Sequence, residues 1–228
     1  MRAFADSLIA DAHCELIAIT PKQAAGYELV LAGGGLPASW DRQAGRGGVV
    51  GWDLVLVDPK TLSILRWELT GRFQQFLRRG QHGQAQAVLA GFEELTRAHH
   101  DTVQGQARRL ALMLGVGLPR CVDHPLDSAG QPLLHTHVVF GARGADGRVL
   151  DGGWVRGCAR RVIGEFHQRH RELVEGLVGA LVPGGWGPVA DDGRAELAGL
   201  PEELMAGYCR PRRAFARIAA CARGNGDL

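Results

Sequence analysis

Residues 131–151 read QPLLHTHVVFGARGADGRVLD and carry two histidines one position apart, His135 and His137. The first half is β-prone and predicts a strand over 133–142. Strand side chains alternate between faces, so His135 and His137 point the same way and both imidazoles can reach one ion. His124 lies eleven residues before His135, in CVDHPLDSAG, at the end of a second predicted strand over 119–124. A neighbouring strand can therefore supply a third imidazole. Three imidazoles leave coordination positions open, which is the arrangement of catalytic rather than closed structural metal sites. Imidazole suits several transition metals, so the ligand type does not name the ion. The same spacing also suits two half-buried, hydrogen-bonded histidines. HTHVVF offers no carboxylate where the hydrolase signature H-x-H-x-D-H needs one, which speaks against a hydrolytic zinc enzyme.

Outward from this stretch, GADG is a turn, and RVLDG is expected to return as a third strand. Upstream, the apolar spacing of Val88, Leu89, Phe92, Leu95, Leu110, Leu112 and Met113 predicts a helix over 84–114. Downstream, Val162, Ile163, Phe166, Leu173, Val174 and Leu177 form the stripe of a second long helix over 155–181. CELIAIT and VVGWDLVLV read as strands, and TLSILRWELTGRFQQFLRRG as a helix stopped from the preceding strand by DPK. A helix is expected from Pro21, with Thr20 as its cap, running to the glycines of LAGGG. PGGWGPVADDG reads as a loop and AELAGL as a short strand. PEELMAGY and the basic RRAFARIAACAR read as short helices. Strands and helices alternate without a βαβ rhythm. The expected class is α+β, an antiparallel sheet with helices packed on it.

At 228 residues the chain fits one domain, 1–228, with a sizeable core. A net charge of +2 argues neither for nor against nucleic acid, although arginines cluster in FLRRG, GCARRV, QRHR and RPRRAFAR. Such clusters are commonly solvated helix faces, but arginine is also the residue suited to planar, bidentate phosphate contacts. Five cysteines, Cys14, Cys121, Cys158, Cys209 and Cys221, show no C-x-x-C pairing and suggest a reducing compartment. No secretory signal and no long apolar run is evident, so a cytoplasmic protein without membrane insertion is expected. No G-x-x-x-x-G-K-[ST] phosphate loop is present. Trp52 is read as core, with base stacking as an alternative. His99 and His100 are read as structural; His167 and His170, three apart on a helix, as solvated with metal binding as the alternative; His13 and His82 carry no pattern.

QPLLHTHVVF resembles the DPxLHTHVV segment of MobF-type conjugative relaxases, a branch of the HUH endonucleases. GWDLVLVDPKTLSIL resembles the family's GxDLTFSAPKSVSLL, matching at Gly51, Asp53, Leu54, Pro59, Lys60 and Ser63. ADGRVLD resembles its DGxWRALD turn, RAHHDTV its AHDxAV, and AELAGLPEELMAGYCRPRRAFARI its EIxGVPxELIxxFSKRxxxI. These matches run in the family's order over about residues 23–218, and the His124–His135 spacing is the family's own. The chain departs from it in carrying a single N-terminal tyrosine, Tyr27, where the family has one or two Tyr-Tyr pairs. Tyr208 falls at a family phenylalanine, and a single domain without a helicase domain is expected.

The resemblance implies a relaxase-like sheet and a set of roles. His124, His135 and His137 would bind a divalent metal (Mg, Mn or Zn, not distinguished by sequence). Tyr27 would be the nucleophile, and Asp53 would orient a ligand histidine and help manage the tyrosine proton. Lys60, Arg210, Arg212 and Arg213 would contact DNA. The implied partner is single-stranded DNA at a plasmid or integrative-element transfer origin, with other relaxosome and conjugation proteins. The implied activity is strand-specific nicking through a 5′-phosphotyrosine. The alternative is a decayed relaxase that binds single-stranded DNA without cutting it.

Overall fold

The computed structural model describes residues 13–24, 48–127 and 130–208. Among them, β1 (Glu15–Ile19), β2 (Gly51–Val57), β3 (Arg120–Leu126) and β4 (Pro132–Gly141) form one sheet in the order β1-β2-β4-β3, every neighbour antiparallel. The helices are α1 (Lys60–Arg78), α2 (His82–Leu114), α3 (Gly152–Leu181) and α4 (Glu202–Tyr208). β5 (Trp186–Val189) and β6 (Ala195–Leu197) pair as a small separate hairpin. The expected α+β class is therefore found.

The sheet divides its side chains by parity. Trp52, Leu54 and Leu56 of β2, with Val138 and Phe140 of β4, turn to one face and form the main core. Val103, Ala107, Leu110 and Leu114 of α2 cover them, together with Val155, Cys158, Ala159, Val162 and Phe166 of α3. Trp52 is thus a core residue, and its ring fills the space a side chain at Gly152, the start of α3, would enter. A second cluster binds the helices to each other: Leu62, Leu65 and Leu69 of α1, Leu95 and Ala98 of α2, Val174 and Val178 of α3. Burying side chains of this size on both sides of a helical layer is what holds it to the sheet.

The element ends have local causes. Pro59 precedes α1 and lends it no side-chain cap. Glu196 of β6 supplies the acceptor instead, taking the Thr61 N–H at 3.0 Å, the Thr61 hydroxyl at 2.6 Å and the Lys60 N–H at 3.3 Å. A carboxylate at a helix start satisfies orphan donors and complements the dipole. Helix α2 stops at Gly115, whose φ of 63° is the left-handed conformation glycine adopts without cost. Asp151 caps α3, accepting the Trp154 N–H at 2.8 Å.

Four expectations need correction. RVLDG makes one isolated bridge, Arg143 to Val149, rather than a third strand, because the chain turns at once into the Asp151 cap. PGGWGPVADDG contains β5, whose partner β6 lies within AELAGL. Leu112 and Leu173, assigned to apolar stripes, face solvent at 84% and 42% exposure. His167 and His170 are buried, not solvated. Beyond residues 21–24, the helix expected from Pro21 lies outside the described residues, as does the basic C-terminal helix. No helix among the described residues is long and apolar enough to cross a membrane.

Candidate metal centre

The register places the histidines. His124 sits directly opposite His135 across the β3–β4 ladder, and His137 follows two positions along, opposite Val122. All three project to the face away from α2 and α3, and all three are half-buried. Ring centroids are 5.3 Å apart for His124–His135, 5.0 Å for His124–His137 and 5.3 Å for His135–His137. One ring nitrogen from each lies within 4.8 Å of the others.

Two of the rings are aimed by their second nitrogen. His135 Nδ1 lies 3.0 Å from the Leu133 carbonyl, and His137 Nδ1 lies 2.7 Å from Asp53 Oδ2. An acceptor at Nδ1 fixes the proton there and leaves Nε2 with a free lone pair. Asp53 reaches His137 diagonally across the β2–β4 ladder, where it pairs with Val139, and its carboxylate is fully buried. Burial pushes the His135 imidazole below its ordinary value, toward the neutral form that ligates. Three imidazole nitrogens with carboxylate and carbonyl support form a donor set that fits a divalent transition ion.

The opposite face of the same strand carries a second network that the sequence reading did not anticipate. Thr136, between the two histidines, accepts from His99 Nε2 at 2.8 Å and donates to Asp123. His99 Nδ1 is 2.7 Å from Asp58 Oδ1, and His170 Nδ1 is 3.2 Å from the same oxygen. Asp58, His99 and His170 are all essentially inaccessible. Burial opposes the Asp58 charge, but the two imidazoles outweigh it and hold the carboxyl at about 2. Burial lowers His170 and takes His167 to about 4. The helical spacing contained the signal: His170 continues Val162–Phe166 toward Val174 in steps of four, and His99 continues Leu95 toward Val103.

Other assigned residues fall elsewhere. Lys60 is buried at the start of α1, with Nζ 3.6 Å from Asp127 Oδ2, so reaching a phosphate would require leaving that carboxylate. Tyr208 donates to Glu68 Oε1 at 2.7 Å, and burial together with that carboxylate pushes its phenol to about 12. Cys14 lies 3.5 Å from His167 Nε2, but burial raises its thiol to about 12, which rules out a ready thiolate nucleophile. Tyr27, Arg210, Arg212 and Arg213 lie outside the described residues.

No protein-family model and no curated protein matches the chain. Solved structures do. The conjugative relaxase TrwC in a metal-free complex with OriT DNA superposes with a TM-score of 0.54, at 17% identity over 92% of this chain and 84% of that one. A copper-bound complex of TrwC with OriT DNA gives 0.51 at 16% identity, over the same shares of the two chains. TrwC in complex with a mutant OriT DNA gives 0.50 at 17% identity, over 100% of this chain and 82% of that one. With its antiparallel sheet, its flanking helices and three imidazoles on one sheet face, this chain has the fold of the conjugative relaxases.

Proposed function

We propose that the chain is a metal-dependent DNA relaxase, nicking one strand at a plasmid or integrative-element transfer origin by tyrosine transesterification. The observation that carries this reading is the convergence of His124, His135 and His137 on one face, with Asp53 buried behind His137. The fold adds support, since the TrwC structures that share it were determined with OriT DNA. A divalent ion held by the three imidazoles would supply positive charge to the non-bridging oxygens of the scissile phosphate.

The protein's own groups have distinct tasks. Asp53 and the Leu133 carbonyl fix the His137 and His135 rings so that both Nε2 atoms face the site. Tyr27 is the nucleophile, because the chain's other tyrosine, Tyr208, is tied to Glu68 as a weak acid. Its oxygen forms a bond to phosphorus while the bond to the 3′ oxygen breaks. The strand is left with a 3′-hydroxyl, which takes a proton, and a 5′-phosphotyrosine that keeps the phosphodiester energy for rejoining. Tyrosine is mostly protonated at neutral pH, so its proton must leave as attack proceeds; Asp53 helps manage it by holding His137 and so setting the charge of the metal centre, while the proton itself passes to solvent or to the departing 3′ oxygen. Arg210, Arg212 and Arg213 are assigned to the DNA backbone, and Lys60 to a phosphate. The site of action is the cytoplasm, with relaxosome and conjugation proteins as further partners.

A second reading has one observation in its favour. The N-terminal segment holds one tyrosine, Tyr27, which fits a remnant that binds single-stranded DNA without cutting it. Labelled single-stranded origin oligonucleotides, incubated with Mg²⁺ or Mn²⁺ and run on a denaturing gel, separate the two. The nickase reading expects a covalent adduct that Tyr27→Phe abolishes while DNA binding persists. Absence of adduct on every origin strand, with binding intact, establishes the remnant.

A further inference from the structure

Behind β4, three ligating side chains from distant parts of the chain meet at one point. Asp58 follows the end of β2, His99 lies in the middle of α2, and His170 lies in α3. Their ligating atoms lie within 4.8 Å of one another, and none of the three residues is more than 2% exposed. Both Nδ1 atoms converge on a single carboxylate oxygen, at 2.7 and 3.2 Å. Asp58 Oδ2 and His170 Nε2 are buried without a hydrogen-bond partner among the described residues.

The hydrogen bonds around His99 limit what can sit there. Thr136 gives its single hydroxyl proton to Asp123, so it can only accept from His99, and His99 Nε2 must be the donor. A neutral His99 then has a bare lone pair on Nδ1, facing an Asp58 oxygen at 2.7 Å. Two lone-pair atoms that close require a proton or a metal ion between them. His170 Nδ1 approaches the same oxygen and can share the same cation. Two imidazoles and a carboxylate are a usual donor set for zinc and other first-row divalent ions. The His99–Thr136–Asp123 chain is the outer support that ligand histidines characteristically have.

We propose that Asp58, His99 and His170 form a second metal site, separate from the three-histidine centre, that takes a divalent transition ion such as Zn²⁺. Bonds of about 2.0–2.2 Å put tetrahedral ligand atoms about 3.3 Å apart. The His170–Asp58 separation of 3.2 Å already matches, and the His99–Asp58 separation of 2.7 Å opens by about half an ångström. The role is structural. The ion ties β2, α2 and α3 together, and through Thr136 and Asp123 it braces the two strands that carry His124, His135 and His137. A site this enclosed is loaded as the chain folds.

The test does not depend on nicking. The full chain carrying His124→Ala, His135→Ala and His137→Ala is unfolded with a chelator and refolded with Co²⁺ or Zn²⁺. After desalting, metal is counted by native mass spectrometry, and Co²⁺ coordination is read from its visible absorption. One retained equivalent, lost when His170→Gln is added, is the expected result. No retained metal in a folded triple variant, or an equivalent that survives His170→Gln, overturns the proposal. If the triple variant does not fold, the parent chain is compared with His170→Gln alone. Two equivalents falling to one support the site, and an unchanged count overturns it.

Discussion

Replacing Asp53 with asparagine removes a charge from the least accessible position behind the three-histidine centre. The Asp53 carboxylate is 0% exposed and holds His137 Nδ1 at 2.7 Å. Hydrogen bonds to charged groups are worth about 1.5–3 kcal/mol. Loss of a carboxylate behind a ligand histidine typically weakens metal binding about 10–100-fold, or about 1.4–2.8 kcal/mol. The two figures rest on different kinds of measurement and agree. Asparagine keeps the shape and one carbonyl acceptor, and the ladder beside it is backbone, so the fold should persist. The assay is competition of Co²⁺ or Zn²⁺ against a chromophoric chelator, in a His170→Gln background so that only the front centre titrates. Asp53→Asn should weaken that centre by one to two orders of magnitude with unchanged circular dichroism. An affinity within about twofold of the parent, in a folded protein, would refute the idea that Asp53 aims the ligand.

Stability should fall on acidification through His167. Its folded value of about 4 lies below the ordinary 6.5, so between those pH values the unfolded chain binds a proton that the folded chain excludes. Stability therefore drops by up to about 3 kcal/mol as pH falls from about 6.5 to about 4. Urea midpoints across that range should show the slope, and His167→Gln should flatten it. Glu196→Ala leaves the Thr61 and Lys60 N–H groups at the start of α1 without their acceptor and should cost about 1–2 kcal/mol in the same melts. An unchanged midpoint would show that the cap is replaced by water at no cost. Arg212→Ala with Arg213→Ala should weaken single-strand binding and lower the salt slope by about 0.7 for each phosphate that is no longer neutralised. An unchanged slope would make the segment a solvated one.

The parity of His135 and His137 was legible because strand alternation is a local rule. The fold class was legible for the same reason: GWDLVLV and the long helical stripes carry their periodicity within a few residues. The direct opposition of His124 and His135 was not, since register depends on the connection over 127–131 and on the irregularity between His124 and Leu126. The buried Asp58–His99–His170 group escaped for a further reason. Its members are separated by 41 and 71 positions, and a histidine on an apolar stripe shows its burial but not its partner. The small hairpin was hidden by its own glycines and prolines, which read as loop although β5 and β6 pair across them.

The three front histidines do not stand on equal footing. His135 and His137 belong to β4, which has a ladder on each side, and each ring is also held through Nδ1. His124 belongs to β3, the edge strand, next to the break in register, and no hydrogen bond holds its ring among the described residues. The centre thus has two fixed jaws and one sprung one. Ions of different radius would meet the same fixed pair, and the difference in bond length would be absorbed at His124. Such a centre would tolerate the metal its surroundings supply, with selectivity set by availability more than by fit.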